Sequence, residues 1–195
     1  MYQKLGKFII KYNILINSQY GFRGGHNTQN AIMDIVNTIQ SNRNSGKFTC
    51  GLFIDLKKAF DTLITIFFKI LIFTYIRGIV NDWFRSCLTY RKQTTSNGSY
   101  ISNREITLYG VPQGSMLGPL LFLLYVNDTA NSSKYLSFYL FADDTSIIYA
   151  NKILHHLEQI VNSELNDVSD WLLANKLSLH FKKSNMCFSV LGRNV

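Results

Sequence analysis

At 195 residues, with 47% apolar side chains, the chain can build one packed domain and is too apolar for wholesale disorder. Charged residues make up only 16%, yet 20 Lys+Arg against 12 Asp+Glu leave a net charge of +8. The excess lies forward: residues 1–127 hold 14 basic and 5 acidic side chains, residues 128–195 hold 6 and 7. This fits a polyanionic partner such as nucleic acid, and on this count alone fits a solubilising charge as well.

In chain order, Thr28 is placed to cap a helix over about Gln29–Asn42, with Ala31, Ile32, Ile35, Val36 and Ile39 on one face. Ser45-Gly46 ends it, and Phe48–Ile54 predicts a strand that finishes at Asp55. Helical patterns follow over about Lys57–Tyr75 and Val80–Tyr90, then strands at Gln93–Ser96 and Glu105–Tyr109 about an Asn97-Gly98 turn. A loop, Gly110–Gly118, leads into a helix through about Asn127. Leu136–Phe141 and Ser146–Tyr149 are predicted strands joined by Ala142-Asp143-Asp144-Thr145, a hairpin signature. A long amphipathic helix over about Lys152–Leu173 precedes a last strand pair, Leu177–Phe181 and Met186–Val190. Strands and helices mix without regular βαβ order, which predicts an α+β domain with a mostly antiparallel sheet.

No membrane partner is expected. The longest apolar runs, Leu63–Ile76 and Met116–Val126, are interrupted by Lys69 and Pro119 respectively, and both fall short of the roughly 20 residues of a spanning helix. Phe8-Ile9-Ile10, followed at once by Lys11, is too short for a signal-peptide core. Three well-separated cysteines (Cys50, Cys87, Cys187) argue against a disulfide framework and suit a reducing compartment. Four histidines with no cysteine at zinc-finger spacing argue against a structural zinc site.

Three places carry chemistry. Asp143-Asp144 puts two carboxylates in a tight turn between apolar strands, where like charges raise each other's pKa unless a cation lies between them. An ordinary Asp-rich turn is the plain alternative; the sharper one is a hard-oxygen site for Mg²⁺. Asp55 ends an apolar strand and can converge on the hairpin from beside it, or else cap the next helix. Three carboxylates are what two-metal phosphoryl transfer requires, one ion activating a 3′-oxygen and the other steadying pyrophosphate. Finally, residues 110–119 hold three glycines and two prolines ahead of a helix, a preset path that lets backbone approach a ligand closely.

These strings resemble a known family. Leu52-Phe-Ile-Asp-Leu-Lys-Lys-Ala-Phe-Asp61, Gly110-Val-Pro-Gln-Gly-Ser-Met-Leu-Gly-Pro-Leu-Leu-Phe122 and Phe141-Ala-Asp-Asp-Thr145 look like motifs A, B and C of reverse transcriptases. More narrowly, they resemble those of non-LTR, LINE-like or jockey-like retrotransposons. Gln19-Tyr-Gly-Phe-Arg-Gly-Gly-His-Asn-Thr28 is similar to the fingers motif upstream of motif A, and Asn175-Lys-Leu-Ser-Leu-His-Phe-Lys-Lys-Ser184 to motif D. The match runs in the family's order over about residues 19–190.

The resemblance implies a right-hand polymerase palm with partial fingers: residues 1–47 as fingers and 48–195 as palm, with thumb and endonuclease lying outside the chain. It implies RNA-directed DNA synthesis from dNTPs on an RNA template and a DNA primer, with two Mg²⁺ ions or Mn²⁺ in their place. Asp55, Asp143 and Asp144 would be the metal triad and Phe60 the steric gate against the ribose 2′-OH. Gln113 and Gly114 would line template and incoming nucleotide. Lys183 would donate a proton to the leaving pyrophosphate, with Lys182 the register alternative. Arg23 would position template or fingers backbone. By the same analogy the location is intracellular, nuclear or cytoplasmic, and oligomeric state is left open.

A viral RNA-dependent RNA polymerase palm shares the paired-Asp hairpin, but those usually carry Gly before Asp-Asp and a small or polar residue in place of Phe60. The sequence also departs from the family: Leu63–Tyr75 is oilier than the charged amphipathic helix usual there, and one residue shorter. Compensating frameshifts in a decaying gene copy would leave such a run. The non-enzymatic alternative is therefore a decayed or repurposed palm that at most binds nucleic acid, and it predicts at least two large apolar side chains of residues 63–76 exposed to solvent.

Overall fold

The computed structural model describes residues 1–57, 77–107, 110–111 and 114–189. Its centre is one long strand, β1 (Phe48–Lys57), whose burial alternates along its length. Cys50, Leu52, Ile54 and Leu56 face the core, so by the two-residue period of a strand Gly51, Phe53, Asp55 and Lys57 share the other face. The predicted strand stopped at Asp55; pairing carries it two residues further.

β6 (Ser137–Phe141) and β7 (Asp144–Asn151) form the expected hairpin, and β7 runs antiparallel to β1 along its whole length. The register pairs Leu52 with Ile147 and Ile54 with Thr145 on the core face. A slip of one residue would turn these core side chains to the opposite face, so apolar burial sets this register. On the other side of β1, β8 (Ser178–Leu179) pairs with Leu56-Lys57 and β9 (Asn185–Ser189) with Thr49–Phe53. The last two strands were expected to pair with each other. Instead both add to β1, because the centre of the sheet satisfies a backbone that a two-residue hairpin arm could not.

Five helices are described. α1 (Tyr2–Lys11) buries Leu5 and Ile9 and was not predicted from the sequence. α2 (Thr28–Asn44) is capped by Asn27, whose side chain accepts from Asn30 N–H at 2.8 Å. Thr28 is thus the first helical residue rather than the cap. Of the expected face only Ala31 is buried, while Ile32 and Val36 remain exposed. α3 spans Ile79–Leu88. Two short ribbons follow, β2 (Arg91–Gln93) with β5 (Glu105–Thr107), and β3 (Ser96–Asn97) with β4 (Tyr100–Ile101). The expected Asn97-Gly98 turn thus lies in a small inner ribbon, within the wider pairing.

α4 (Leu117–Tyr125) is apolar on every side and buried from Leu120 through Tyr125, as an all-round hydrophobic helix must be. α5 (Leu154–Ala174) is amphipathic and buries Leu157, Val161, Glu164, Val168 and Leu172, spaced three or four apart. Asn127, just beyond α4, takes hold of the N-terminal segment with both ends of its amide. Its Oδ1 accepts from Ile16 N–H at 3.0 Å, and its Nδ2 donates to Ile14 C=O at 2.8 Å. Lys57, expected to open the next helix, instead ends β1; the rest of that predicted helix, through Tyr75, and with it the expected exposure of residues 63–76, lies outside the described residues. Cys50, Cys87 and Cys187 are free, and no described helix is long and apolar enough to cross a membrane.

Glu164 is the one acidic side chain of the buried stripe on α5. It accepts hydrogen bonds from the Ser133 hydroxyl and from Lys134 N–H, and the Ser133 bond leads in holding its carboxyl below the usual range against the opposing effect of burial. Ser133 also accepts from Leu136 N–H at 3.0 Å, so Glu164 anchors the turn that launches β6. Glu164→Ala should cost about 1.5–3 kcal/mol, the worth of hydrogen bonds to a charged group. Because the folded carboxyl is depressed, its contribution is present above the unfolded pKa and is lost as pH falls through the folded one. Urea melts at pH 7 and pH 3 measure this: the gap between wild type and variant should shrink at the lower pH.

Candidate active site

The hairpin delivers its acids through a two-residue connection. Phe141 pairs with Asp144, leaving Ala142 and Asp143 as the loop. Ala142 has φ 56, the left-handed conformation that a type II′ turn requires at its first loop position and usually gives to glycine. Asp144 therefore begins strand β7 rather than standing in the loop, and its registered partner on β1 is Asp55. Directly opposed residues of antiparallel strands share a face, with Cβ atoms about 4.5–5.5 Å apart. Asp55 and Asp144 thus lie side by side on the face turned away from the core, and Asp143 adjoins them at the hairpin tip.

The electrostatics follow from that crowding. Partial burial among the strands pushes the Asp144 carboxyl above its usual range, although the residue keeps an open side to solvent. Repulsion from Asp143 and then Asp55 adds to the rise, and Lys183 opposes it. Lys183 is the local counter-charge: its Nζ lies 3.6 Å from Asp55 Oδ2. With Lys183 68% exposed, such a pair contributes only about 0–1 kcal/mol. It can be exchanged cheaply.

The turn that carries Lys183 is fastened to Asp55 by backbone. His180 N–H donates to Asp55 C=O at 2.8 Å, Lys183 N–H donates to His180 C=O at 2.8 Å, and Asp55 N–H donates to Ser184 Oγ at 3.3 Å. Ser184 was not singled out from the sequence, and a lone serine after two lysines gives no signal for such a contact. Among the described residues Lys183, rather than Lys182, forms the ion pair with Asp55.

Of the remaining expected site residues, Gly114 and Arg23 are described. Gly114 has φ 82, so a side chain there would be strained. At the next residue, Ser115 Oγ accepts from Gly118 N–H at 2.9 Å and holds the entry to α4. Gly110 C=O accepts from Arg91 Nη2 at 2.8 Å, which ties the glycine-rich segment to β2. Arg23 donates from Nη1 to Ile16 C=O at 2.9 Å, bracing its own N-terminal segment. Phe60 and Gln113 lie outside the described residues.

Carboxylate oxygens are the donor type that suits a hard divalent cation. As they stand, no three His, Cys, Asp or Glu side chains among the described residues are gathered tightly enough to hold one. Asp55 is instead paired with Lys183, while the backbone register keeps it opposite Asp144.

Residues 1–195 match the family model described as reverse transcriptase (RNA-dependent DNA polymerase). The chain belongs to the reverse transcriptase family. It is 30% identical over 182 residues to the probable RNA-directed DNA polymerase from transposon X-element of Drosophila melanogaster, covering 90% of this chain and 20% of that protein. To the RNA-directed DNA polymerase from mobile element jockey of the same species it is 25% identical over 163 residues, covering 78% of this chain and 18% of the relative. The chain thus spans about a fifth of the length of these relatives.

Among solved structures, a Candida tropicalis telomerase in complex with a fragment of telomeric RNA superposes with a TM-score of 0.70 at 11% identity, over 98% of this chain and 34% of that one. A Candida albicans telomerase superposes at 0.63 and 14% identity, over 95% and 34%. At such identities the likeness concerns the fold. It bears out the expected α+β, palm-like architecture of a reverse transcriptase, and the relatives bear out the non-LTR retroelement resemblance.

Proposed function

We propose that this chain carries the palm and part of the fingers of an RNA-directed DNA polymerase that extends a DNA primer on an RNA template with dNTPs. The observation that supports this best is the register that sets Asp55 opposite Asp144, with Asp143 adjoining. Asp55, Asp143 and Asp144 would hold two Mg²⁺ ions, which when bound favour the deprotonated 3′-hydroxyl and neutralise charge on the leaving pyrophosphate. Lys183, freed from Asp55, stands ready to give a proton to that pyrophosphate, and its low-energy surface pairing makes the exchange cheap. The basic segment, residues 1–127, supplies charge for the nucleic-acid backbone.

Two measurements test the assignment. A polypeptide containing this chain in the context of its longer relatives should extend a primer on RNA in Mg²⁺, and a protein that binds RNA but extends nothing would favour the decayed or repurposed palm. Phe60→Val should then admit ribonucleotides, since removing the ring leaves room for the 2′-oxygen. An apolar pocket rejects an added hydroxyl by only about a hundredfold, so the dNTP over rNTP ratio of kcat/KM should fall by up to roughly that factor. A ratio that does not move would return Phe60 to core packing.

A further inference from the structure

Beside the hairpin, residues Ser18–Gly21 lie along the outer edge of β6. Leu140 N–H donates to Ser18 C=O and Tyr20 N–H donates to Leu140 C=O, both at 2.8 Å, around a parallel bridge between Gln19 and Leu140. This places the fully buried side chain of Gln19 under the loop that carries Asp143. Gln19 Oε1 accepts from Gly21 N–H at 2.9 Å and, through a longer bond, from Ala142 N–H at 3.4 Å. Two donors converging on one oxygen fix which way the amide points, for the reverse orientation would aim its NH₂ at two N–H groups. Nε2 is buried without a hydrogen-bond partner among the described residues. Half of the amide's bonding capacity is therefore unused at a site where polar atoms are costly to leave unpaired, and what the amide does supply is an acceptor at the loop.

Gly21 shows how closely the two segments are pressed together. A Cβ built there would lie 2.5 Å from Ala142 N and 3.0 Å from Phe141 C, both backbone atoms that cannot swing aside. Ala142 is itself buried with φ 56, and a non-glycine residue in that region persists only where its surroundings over-determine it. A two-residue hairpin loop leaves the N–H of its first residue outside the ladder, so Ala142 needs an acceptor from elsewhere. We propose that Gln19 is a positioning residue of the candidate site: its side-chain oxygen holds Ala142 N–H and thereby fixes the direction in which Asp143, the next residue, presents its carboxylate. The consequence for metal binding rests on the proposed polymerase reading; the restraint on the loop stands without it.

Residue-resolved amide hydrogen exchange and Mn²⁺ titration followed by electron paramagnetic resonance, on the whole chain, test this. Gln19→Met keeps the volume and removes the acceptor, and should speed exchange at Ala142 and Asp143 about tenfold, the equivalent of one hydrogen bond. Val161 and Val168 in α5 should keep their rates, and Mn²⁺ affinity should fall several-fold. Gln19→Glu retains an acceptor oxygen and should stay near wild type at Ala142. Wild-type exchange at Ala142 in Gln19→Met, or acceleration equal to that of α5, overturns the proposal. If Gln19→Met does not fold, Gln19→Glu decides, and faster exchange at Ala142 in that variant sinks the idea. A wild-type chain that binds no Mn²⁺ counts against the polymerase reading alone, and the exchange rates still judge Gln19.

Discussion

Asp143→Asn is expected to lower RNA-templated primer extension at least about a hundredfold, the usual scale for removing one electrostatic stabiliser from a transferring group. RNA binding should be nearly unchanged, because that depends on the basic surface rather than on the hairpin tip. Mn²⁺ affinity of the isolated chain should fall together with activity of the longer protein. The neighbouring change supplies a control on sign. Asp144 holds its proton to higher pH folded than unfolded, chiefly through burial and then through Asp143 and Asp55. Between those two pKa values the native state binds more protons, so stability falls as pH rises, and the charge is a net cost at pH 7. Asp144→Asn should therefore raise Tm at pH 7, modestly because the exposed carboxylate is screened by solvent. Below the ordinary carboxylate range the gain should vanish. Thermal melts at pH 7 and pH 3 read it, and a variant less stable at neutral pH would mean the three acids do not crowd one another.

Much of this site was legible because strands have only two faces. Asp55 ends an apolar run and Asp143-Asp144 interrupts another, so once the two strands pair with core side chains matched, Asp55 and Asp144 must fall on the same face. What the sequence could not supply was the pairing of single residues. Asp144 begins β7 rather than filling the loop, because a left-handed Ala142 lets two residues make the turn. Alanine gives no hint of that conformation where glycine would have. The fate of the last two strands was equally hidden, since whether a short strand pairs with its sequence neighbour or with β1 depends on which edge is open. α1 is legible only in the spacing of Leu5 and Ile9, one helical turn apart, a signal too short to separate from the apolar cluster Phe8-Ile9-Ile10. Gln19 stood inside a recognised motif without a role, because nothing in a string of letters shows that an amide lies beneath a turn 123 residues away.

The largest effect on stability is expected in α4. The segment Leu117–Tyr125 contains no charged residue, is too short to span a membrane, and reads from sequence as buried core. Phe122 and Leu123 are wholly buried, as is Tyr125, whose hydroxyl donates to Asn175 C=O at the end of α5. The helix is thereby surrounded on all sides and tied to the longest of the described helices. Phe122→Ala removes a full ring from a close-packed position, which costs about 3–5 kcal/mol through lost transfer energy and the cavity left behind. Set against a total of about 5–15 kcal/mol for a natural domain, that is enough to bring this chain to the edge of unfolding at 37 °C. Tyr125→Phe keeps the ring and deletes only the hydroxyl, leaving Asn175 C=O without that donor, and should cost about 1–2 kcal/mol. Urea unfolding followed by circular dichroism separates the two, with the Phe122→Ala midpoint falling two to three times as far. Equal, small shifts in both variants would mean that α4 packs loosely and that the palm depends on some other element for its core.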